Sequence, residues 1–369
     1  DDYIYHWSNG FMDTRASSQR VVDFMLKNKD PRVRFCYRKN DWNSTIIQEF
    51  YNQGKAIPSY IEENVEYTTD ASGKKTFVRW KGLGEPWVRY EGLPVEYNAA
   101  NNSAVYGEWF DYSNRYQITD ANGQSAKSYR PYSLYQHMMV IGRYYTFTLP
   151  TVPGGPVITR TENRPWYGMY LGGSEVNLYL AEFKLLGANL PGTAEDYFKK
   201  GIRLSVQEYD KTAGLNQIPY YGTTYDYDPN EVSIELKDGE IDAMLASPDY
   251  NLTGSTSDQL EKVYLQQMIH FIMYPYDQFV TARRSGLPKF NSQLISRENY
   301  SAIPVTNFPR RFQTGVPNET SQLYQIQRDA YAAQGYTITG AGDANTSILN
   351  TERTWQDQGA PQWGEGPKN

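Results

Sequence analysis

Large, mostly apolar side chains recur with helical spacing after Asp258. The recurring positions are Leu260, Val263, Tyr264, Gln267, Phe271 and Tyr274. Spacings of three and four place these side chains on one face of a helix. Asp258 is expected to cap this helix, because its carboxylate can accept hydrogen bonds from the N–H groups of the first turn. Pro275 is expected to end it, since proline has no N–H and clashes with the preceding turn.

The same periodicity predicts three more helices. One covers residues 16–29, with Ser17 or Ser18 as its cap, and Pro31 stops it. Two more lie within residues 174–210, where an apolar stripe ends at Gly187, a residue suited to a left-handed turn. Because the connection between these two helices is short, we expect them to pair antiparallel. Such a pair resembles one tetratricopeptide-like unit, which cannot bury its stripe alone.

The rest of the chain shows turn signals in place of helical periodicity. Residues 40–165 alternate such signals with short aromatic runs, and residues 77–80 after one turn indicate a small hairpin. Residues 214–257 are expected to form a loop, and residues 335–369 an irregular tail. Residues 258–335 are expected to hold the C-terminal helices. The whole pattern predicts a mainly α fold with irregular loops and small β elements.

Composition limits the classes of partner. The 369 residues carry a net charge of −6, so the chain lacks the excess of Lys and Arg that nucleic acid requires. No apolar run approaches the roughly eighteen residues that a membrane span needs. Cys36 is the only cysteine, which excludes an intrachain disulfide and a cysteine-based metal cluster. Tyrosines number 33 against 14 phenylalanines, a balance that suits a grooved and partly polar surface.

The sequence carries no motif for catalysis or for a cofactor. Neither a P-loop nor a G-x-S-x-G elbow occurs, and the three histidines are isolated from one another. Asp226-x-Asp228-x-Asn230 begins like a calcium loop, but Glu231 and Lys237 occupy the positions of the required glycine and glutamate. We therefore predict no catalytic residue and no cofactor, with a calcium site of another kind left open.

Aromatic residues are dense in two segments that are otherwise rich in turn residues. The candidates for a ligand-binding platform are Trp80, Trp87, Tyr90, Trp109, Tyr220, Tyr221 and Tyr225. Pockets with apolar walls and a few fixed polar groups bind small ligands, and the C–H face of a sugar ring can stack on an aromatic face. The alternative is that these side chains pack an irregular region that has little regular sheet.

Two arginine pairs stand beside Gly and Pro in the C-terminal third. Arg283 and Arg284 precede Gly286 and Pro288, while Pro309 precedes the second pair. That second pair is Arg310 and Arg311, followed by Phe312. Guanidinium groups in such segments, expected to be non-helical, fork onto carboxylates and carbonyls. A structural role that ties the irregular chain together is favoured over an anion site, since the chain lacks a basic surround.

Several motifs together resemble the SusD/RagB family of outer-membrane nutrient-binding lipoproteins. The two arginine segments, with Glu319 beyond them, are similar to the C-terminal signature of that family. Pro275-Tyr276-Asp277 departs from its usual Glu-x-Trp. The other similar segments are Asp30-Pro31-Arg32, Ser174-Glu175-Val176 with Ala181-Glu182, Tyr197 with Gly201-Ile202 and Ser205, and Thr354-Trp355-Gln356-Asp357.

The resemblance implies a SusD-like fold and a non-enzymatic function. Such a protein binds oligosaccharide or polysaccharide at the cell surface and delivers it to a SusC-like TonB-dependent transporter in the outer membrane. In this family a lipid anchor and a helical-repeat region come first. The chain is therefore expected to be the C-terminal portion of a lipid-anchored protein, with residues 40–165 as a loop-rich insertion and no anchor of its own.

Two other functions stay open. A peptide-binding import partner of the RagB type would share the fold and differ in its cargo. A glycoside hydrolase would need two carboxyl groups roughly 5–10 Å apart. Pairs such as Glu62 and Glu63 leave the hydrolase open, because the sequence supplies no distances.

Overall fold

The computed structural model describes residues 16–94, 102–110, 116–124, 126–140, 145–162, 166–297, 310–312, 314–338 and 346–367. Within these residues the chain is mainly α-helical, with three small two-stranded antiparallel sheets. This confirms the predicted mainly α fold with small β elements. Among the described helices, none is both long and apolar enough to cross a membrane.

The elements follow one another with short connections. The helices are α1 (Gln19–Lys27), α2 (Val33–Cys36), α3 (Ser44–Asn52), α4 (Ser59–Glu62), α5 (Ser103–Phe110), α6 (Gly173–Leu185), α7 (Ala194–Leu215), α8 (Glu240–Leu245), α9 (Thr256–His270), α10 (Pro275–Ser285), α11 (Tyr324–Ala333) and α12 (Thr346–Thr351). The strands are β1 (Val65–Thr69), β2 (Lys75–Trp80), β3 (Gln117–Ile118), β4 (Lys127–Ser128), β5 (Tyr145–Thr148) and β6 (Thr159–Glu162). Short 3-10 turns lie at Trp87–Arg89, His137–Met139, Pro248–Tyr250 and Trp355–Asp357.

Helices α6 and α7 pack antiparallel, as the short connection indicated. The Ser174 N–H at the start of α6 donates to Glu208 Oε1 at 3.3 Å, in the last third of α7. Near the middle, Gly201 approaches Leu178 so closely that a Cβ at Gly201 would lie 2.8 Å from Leu178 Cγ. Gly187 follows α6 with φ of +95°, the left-handed conformation that glycine adopts readily. The close contact of the two helices therefore depends on glycine at position 201, which has no side chain.

The start of α9 differs from the sequence prediction by three residues. Ser255 is the N-cap, and its hydroxyl accepts from the Asp258 N–H at 3.2 Å. The Asp258 carboxylate reaches back to accept from the Ser255 N–H at 3.0 Å. This is a capping box, in which the acidic residue sits one turn inside the helix. Asp258 was thus identified as a capping residue, but its position as the N-cap was wrong.

The prediction that Pro275 ends this helix was also wrong. α9 ends at His270, and Pro275 is the first residue of α10. Proline suits that position because the first N–H of a helix has no partner in the helix. Arg283 and Arg284 therefore lie in the last turn of α10 and not in a non-helical segment. Gly286, with φ of +70°, ends α10, and a Cβ there would lie 2.6 Å from the Gln362 carbonyl oxygen.

Residues 40–165 contain more helix than their turn signals indicated. α3 begins where the Asn43 side chain accepts from the Ile46 N–H at 2.9 Å. The predicted hairpin is present as β1 and β2, with Val65 opposite Trp80. α8 and α12 likewise lie in segments predicted as loop and tail. Together with the hairpin, α3 encloses a second core that is separate from the main one. Its largest buried side chains are Trp42, Phe50, Tyr51, Tyr116 and Tyr129.

An ion pair lies inside the main core, next to α2. Asp30 and Arg32 have no exposed surface, and Arg32 Nη2 lies 2.6 Å from Asp30 Oδ2. The guanidinium also donates to Ser205 Oγ at 3.0 Å and to Gln266 Oε1 at 2.6 Å. The Tyr250 hydroxyl donates to Asp30 at 2.7 Å. The Asp-Pro-Arg motif therefore ties the segment after α1 to α7 and α9.

His270 extends this buried polar network. Its Nδ1 lies 3.0 Å from Ser205 Oγ and its Nε2 lies 3.2 Å from Ser174 Oγ. Burial, reinforced by the nearby Arg32 guanidinium, lowers the pKa of His270 from 6.5 to about 3. The imidazole is therefore neutral in the folded protein, whereas it binds a proton below pH 6.5 in the unfolded chain.

We expect His270 to make stability depend on pH. Because its folded pKa is depressed, its contribution is complete above its unfolded pKa and is lost progressively as pH falls towards 3. Between pH 7.5 and pH 5 this loss amounts to about 2 kcal/mol. Urea unfolding of the wild type and of His270→Asn at both pH values measures it. The difference cancels groups common to both proteins, such as Glu91, whose pKa burial raises to about 8. Parallel pH profiles of the two proteins would contradict the prediction.

The first arginine pair joins α10 to two other parts of the chain. Arg284 forks onto the buried Glu182 carboxylate of α6 with distances of 2.6 and 2.8 Å. Glu182 also accepts from the Tyr264 hydroxyl at 3.0 Å and from Gln267 Nε2 at 2.8 Å. Arg283 Nε donates at 2.9 Å to the carboxylate of the Trp355–Asp357 turn.

The second pair makes the same kind of contact. Arg310 is fully buried, and its Nη1 donates to Asp357 Oδ1 at 3.1 Å. Arg311 Nε donates to Glu352 at 2.8 Å. All four guanidinium groups thus bind carboxylates of the chain itself. The Phe312 side chain, by contrast, is 95% exposed. Pro309, predicted as part of this motif, lies outside the described residues.

Candidate functional site: an arginine-lined pocket among the predicted aromatic residues

Two of the predicted aromatic residues line one pocket, two more contact residues that line it, and a fifth lies close by. Tyr90 and Tyr220 line the pocket. Trp87 and Tyr225 contact lining residues, with the Arg34 guanidinium 4.9 Å from the Trp87 ring and the Tyr225 ring 5.1 Å from that of Tyr220. Tyr221 packs beside Phe35, the residue after Arg34. Two loops more than a hundred residues apart in sequence therefore meet here. We call this feature the arginine pocket; the polar residues that line it, apart from its tyrosines, are Arg34, Arg38, Lys39, Asp41, Arg130, Gln136 and Thr148.

The five aromatic residues differ in what they can offer to a ligand. Tyr90 and Tyr220 are only 2% and 6% exposed, so neither presents a free face for stacking. They form the walls of the pocket together with Tyr37 and Phe147. Trp87, Tyr221 and Tyr225 are half-buried and keep part of their surface in solvent. These three residues can therefore contact a ligand with the part of the ring that stays exposed, although the Arg34 guanidinium already lies over the Trp87 ring. The two wall tyrosines are closed to stacking.

Trp80 and Trp109 lie elsewhere, beside the second core. The Trp80 ring meets Phe77 edge-on at 5.3 Å. The Trp109 ring stacks on Tyr60 at 4.6 Å with an angle of 7° between the planes. One face of Trp109 is therefore already covered. Both side chains are half-buried, but the structure does not bring them to the arginine pocket.

The arginine pocket is small, and its lining is about half polar and half apolar. Its interior volume of about 30 Å³ has room for one or two water-sized groups. A whole sugar ring does not fit, but one ring substituent does. Burial lowers the pKa of the Lys39 ammonium, although Glu85 at 2.9 Å opposes the shift. Two buried polar atoms of lining residues, Arg34 Nε and Gln136 Oε1, have no hydrogen-bond partner in the described structure.

Sequence reasoning missed the polar half of this pocket. Arg38 and Gln136 stand 98 positions apart, and neither lies in a motif. A chain contact places them together: the Gln136 N–H donates to the Cys36 carbonyl at 2.8 Å, and the Arg38 N–H donates to the Leu134 carbonyl at 2.8 Å. No local pattern encodes such pairing of two extended segments.

A larger groove runs beside α10. Its volume is about 370 Å³, and its walls are mostly apolar. Phe279, 46% exposed, meets the buried Trp363 ring at 5.8 Å. Pro288 of the arginine motif lines the same groove, as do Arg20 and Arg297. The size matches that of small-ligand sites, although none of the predicted platform residues lies in it.

The loop that begins like a calcium site uses its carboxylate internally. Asp228 is buried and accepts from the Ser44 N–H at 2.9 Å and from the Asn230 N–H at 2.9 Å. The Ser44 hydroxyl donates to it as well. Among the described residues there is no group of three or more His, Cys, Asp or Glu side chains that could hold a metal ion. The absence of a cofactor, with a calcium site of another kind left open, stays a prediction.

A family model described as "Susd and RagB outer membrane lipoprotein" matches residues 156–341, half of the chain. The chain belongs to the SusD-like family. This confirms the resemblance that the arginine segments and the α6–α7 motifs carried. No curated protein sequence matches the chain.

Solved structures of SusD-like proteins are similar to the chain at low identity. A SusD homologue from Bacteroides fragilis is 18% identical with a TM-score of 0.46, over 93% of this chain and 52% of that one. A chitin-binding protein is 18% identical with a TM-score of 0.42, over 87% and 48%. A structure described as "Bacteroidetes AC2a SusD-like" is 17% identical with a TM-score of 0.42, over 92% and 53%. The chain thus spans about half the length of these three proteins.

Proposed function

We propose that this SusD-like chain binds oligosaccharide without cleaving it. The observation that carries the proposal is the clustering of five predicted aromatic residues at the arginine pocket: Tyr90 and Tyr220 line it, Trp87 and Tyr225 contact its lining residues, and Tyr221 packs beside Phe35. Half-buried aromatic faces beside fixed guanidinium and amide groups suit a ligand with C–H faces and hydroxyl edges. Membership of the family and the chitin-binding protein among similar structures support the same cargo class.

The size of the pocket determines the binding mode. A sugar ring lies outside, against the half-buried faces of Trp87, Tyr221 or Tyr225, and one substituent enters the arginine pocket. Trp80 and Trp109 remain candidates for a second contact along a longer oligosaccharide. Because an extended ligand covers several weak contacts, affinity is expected to rise with the number of sugar units.

The proposal extends to the cellular role. In the full-length protein the chain acts at the outer-membrane surface, held by an N-terminal lipid anchor, and passes its ligand to a SusC-like TonB-dependent transporter. The family description as an outer-membrane lipoprotein supports this location. Co-purification of the full-length protein with its transporter tests the partnership.

Trp87→Ala is expected to weaken oligosaccharide binding about thirtyfold, or about 2 kcal/mol, since truncating a buried aromatic anchor typically costs that much. Calorimetric titration with a panel of oligosaccharides measures it, and the same mixtures are analysed for cleavage products. Trp355→Ala is the matched control, because this tryptophan is 85% exposed and is not among the residues that line or contact the pocket. Unchanged affinity in Trp87→Ala, with loss in Trp80→Ala or Trp109→Ala, would move the site to the second core. Cleavage products would show a glycoside hydrolase.

Peptide binding of the RagB type is the second candidate, and the groove beside α10 favours it. An open, mostly apolar groove with Phe279 on its wall suits apolar peptide side chains better than sugar hydroxyls. The same titrations therefore include short peptides. Heat from peptides alone, lost in Phe279→Ala and kept in Trp87→Ala, would replace the oligosaccharide proposal.

A further inference from the structure

The charges around the arginine pocket do not balance. Four basic side chains line it, and Asp41 is the single acidic one. Three of the four basic groups are paired: Arg34 with Glu240 at 2.6 Å, Lys39 with Glu85 at 2.9 Å and Arg130 with Asp41 at 3.1 Å. The fourth, Arg38, makes no side-chain hydrogen bond or ion pair with any described residue.

The carboxylates behind the pocket do not supply the missing partner. Glu85 is shared, because Arg89 Nη1 also lies 2.8 Å from it. Glu231 lies near Lys39 and accepts from the Tyr225 N–H at 2.7 Å. These two acids therefore serve Lys39 and Arg89, and the positive charge of Arg38 has no carboxylate partner among the residues that the structure describes. In a chain of net charge −6, the lining of this pocket is locally basic.

Two lining residues of the pocket each carry a buried polar atom without a hydrogen-bond partner, one a donor and the other an acceptor. Arg34 is 1% exposed and Gln136 is 2% exposed, yet the Arg34 Nε donor and the Gln136 Oε1 acceptor have no partner in the described structure. Buried polar atoms without partners are rare in folded proteins. A ligand that satisfies both atoms would accept from the Arg34 guanidinium N–H and carry a neighbouring hydroxyl that donates to the Gln136 amide oxygen.

From these observations we infer that the arginine pocket takes the carboxylate of an acidic sugar. This inference rests on the proposed oligosaccharide binding at the same site. A planar carboxylate matches the fork of a guanidinium group. In a uronic acid the carboxylate neighbours a ring hydroxyl, which supplies the donor for Gln136. The two oxygens of a carboxylate match a space that has room for one or two water-sized groups.

The test compares acidic with neutral sugars of the same stereochemistry. Glucuronate and galacturonate, with glucose and galactose as neutral matches and acetate as a free carboxylate, are titrated against the protein. Binding is followed by NMR at the arginine Nε–H signals. The uronates are expected to shift the Arg34 signal and to bind about tenfold more tightly than the neutral sugars, the gain from one charge-assisted hydrogen bond.

Variants assign the preference to Arg38. Arg38→Gln is expected to remove the preference for uronate, and Arg38→Lys to restore only part of it, because lysine keeps the charge without the fork. Arg79→Gln is the matched control: it loses the same charge from a hairpin side chain that is 72% exposed. Thermal unfolding of each variant verifies that the fold is retained.

The other outcomes overturn the inference in distinguishable ways. Equal affinity for neutral sugars and uronates, or a preference that survives in Arg38→Gln, would refute the acidic-sugar assignment and leave oligosaccharide binding in place. Acetate that binds as tightly as the uronates would show a site for free carboxylate and not for a sugar. Failure of every saccharide in the titration panel, neutral and acidic, would refute the proposed function itself.

Discussion

Replacing Arg32 with leucine is expected to lower the free energy of unfolding by about 3–5 kcal/mol, because removing one partner of a buried pair leaves an uncompensated charge. Asp30 has no exposed surface, so water cannot take the place of the guanidinium. The change also removes the hydrogen-bond partner of Gln266 Oε1, at 2.6 Å in the wild type. Equilibrium unfolding in urea measures the loss.

Two further variants separate the charge from the packing. Arg79→Leu removes a surface partner of Glu66, with both side chains well exposed, and is expected to cost less than about 1 kcal/mol. The double variant Asp30→Ala with Arg32→Leu removes both buried charges and is expected to recover part of the loss, since no ion is then left unpaired. A double variant that is less stable than Arg32→Leu would show that packing, and not the unpaired carboxylate, dominates.

The helices that the sequence predicted best are those whose signals are local. The α6–α7 pair follows from an apolar stripe and from Gly187, and both act within a few residues. Pro275 was misread because the same residue serves equally well before a helix and after one. Which role it takes depends on whether the chain turns back into the core, and that is a tertiary contact.

Only part of the candidate site could likewise be predicted from local signals in the sequence. Aromatic density in loops pointed to Trp87, Tyr90 and Tyr220 without any knowledge of where the two loops meet. Aromatic density did not predict that Tyr90 and Tyr220 are buried walls of the pocket and not exposed stacking platforms. The burial of a side chain depends on which distant residues pack over it. Arg38 carries no sequence signal at all, since its importance lies in the absence of a partner.

Asp357→Asn is expected to be the second large effect, lowering the free energy of unfolding by about 3 kcal/mol. The Asp357 carboxylate is 2% exposed and accepts from Arg283 at 2.9 Å, from Arg310 at 3.1 Å and from Arg353 at 3.4 Å. Burial lowers the pKa of Arg310, and Asp357 is the group that opposes this shift. An amide keeps the shape of the side chain but cannot neutralise the fully buried guanidinium.

Hydrogen exchange localises the effect of Asp357→Asn. Amides of residues 346–367 are expected to exchange faster than in the wild type, whereas those of α6 and α7 change little, because the lost bonds hold the C-terminal segment. Glu66→Gln, a neutralised carboxylate in an exposed pair, is the control and is expected to leave exchange unchanged.

The Asp357→Asn variant also decides between the two interpretations of the arginine pairs. If they formed an anion site, losing Asp357 would strengthen binding of inorganic phosphate and leave stability nearly unchanged. A loss of stability without phosphate binding would assign the arginines to holding the chain together.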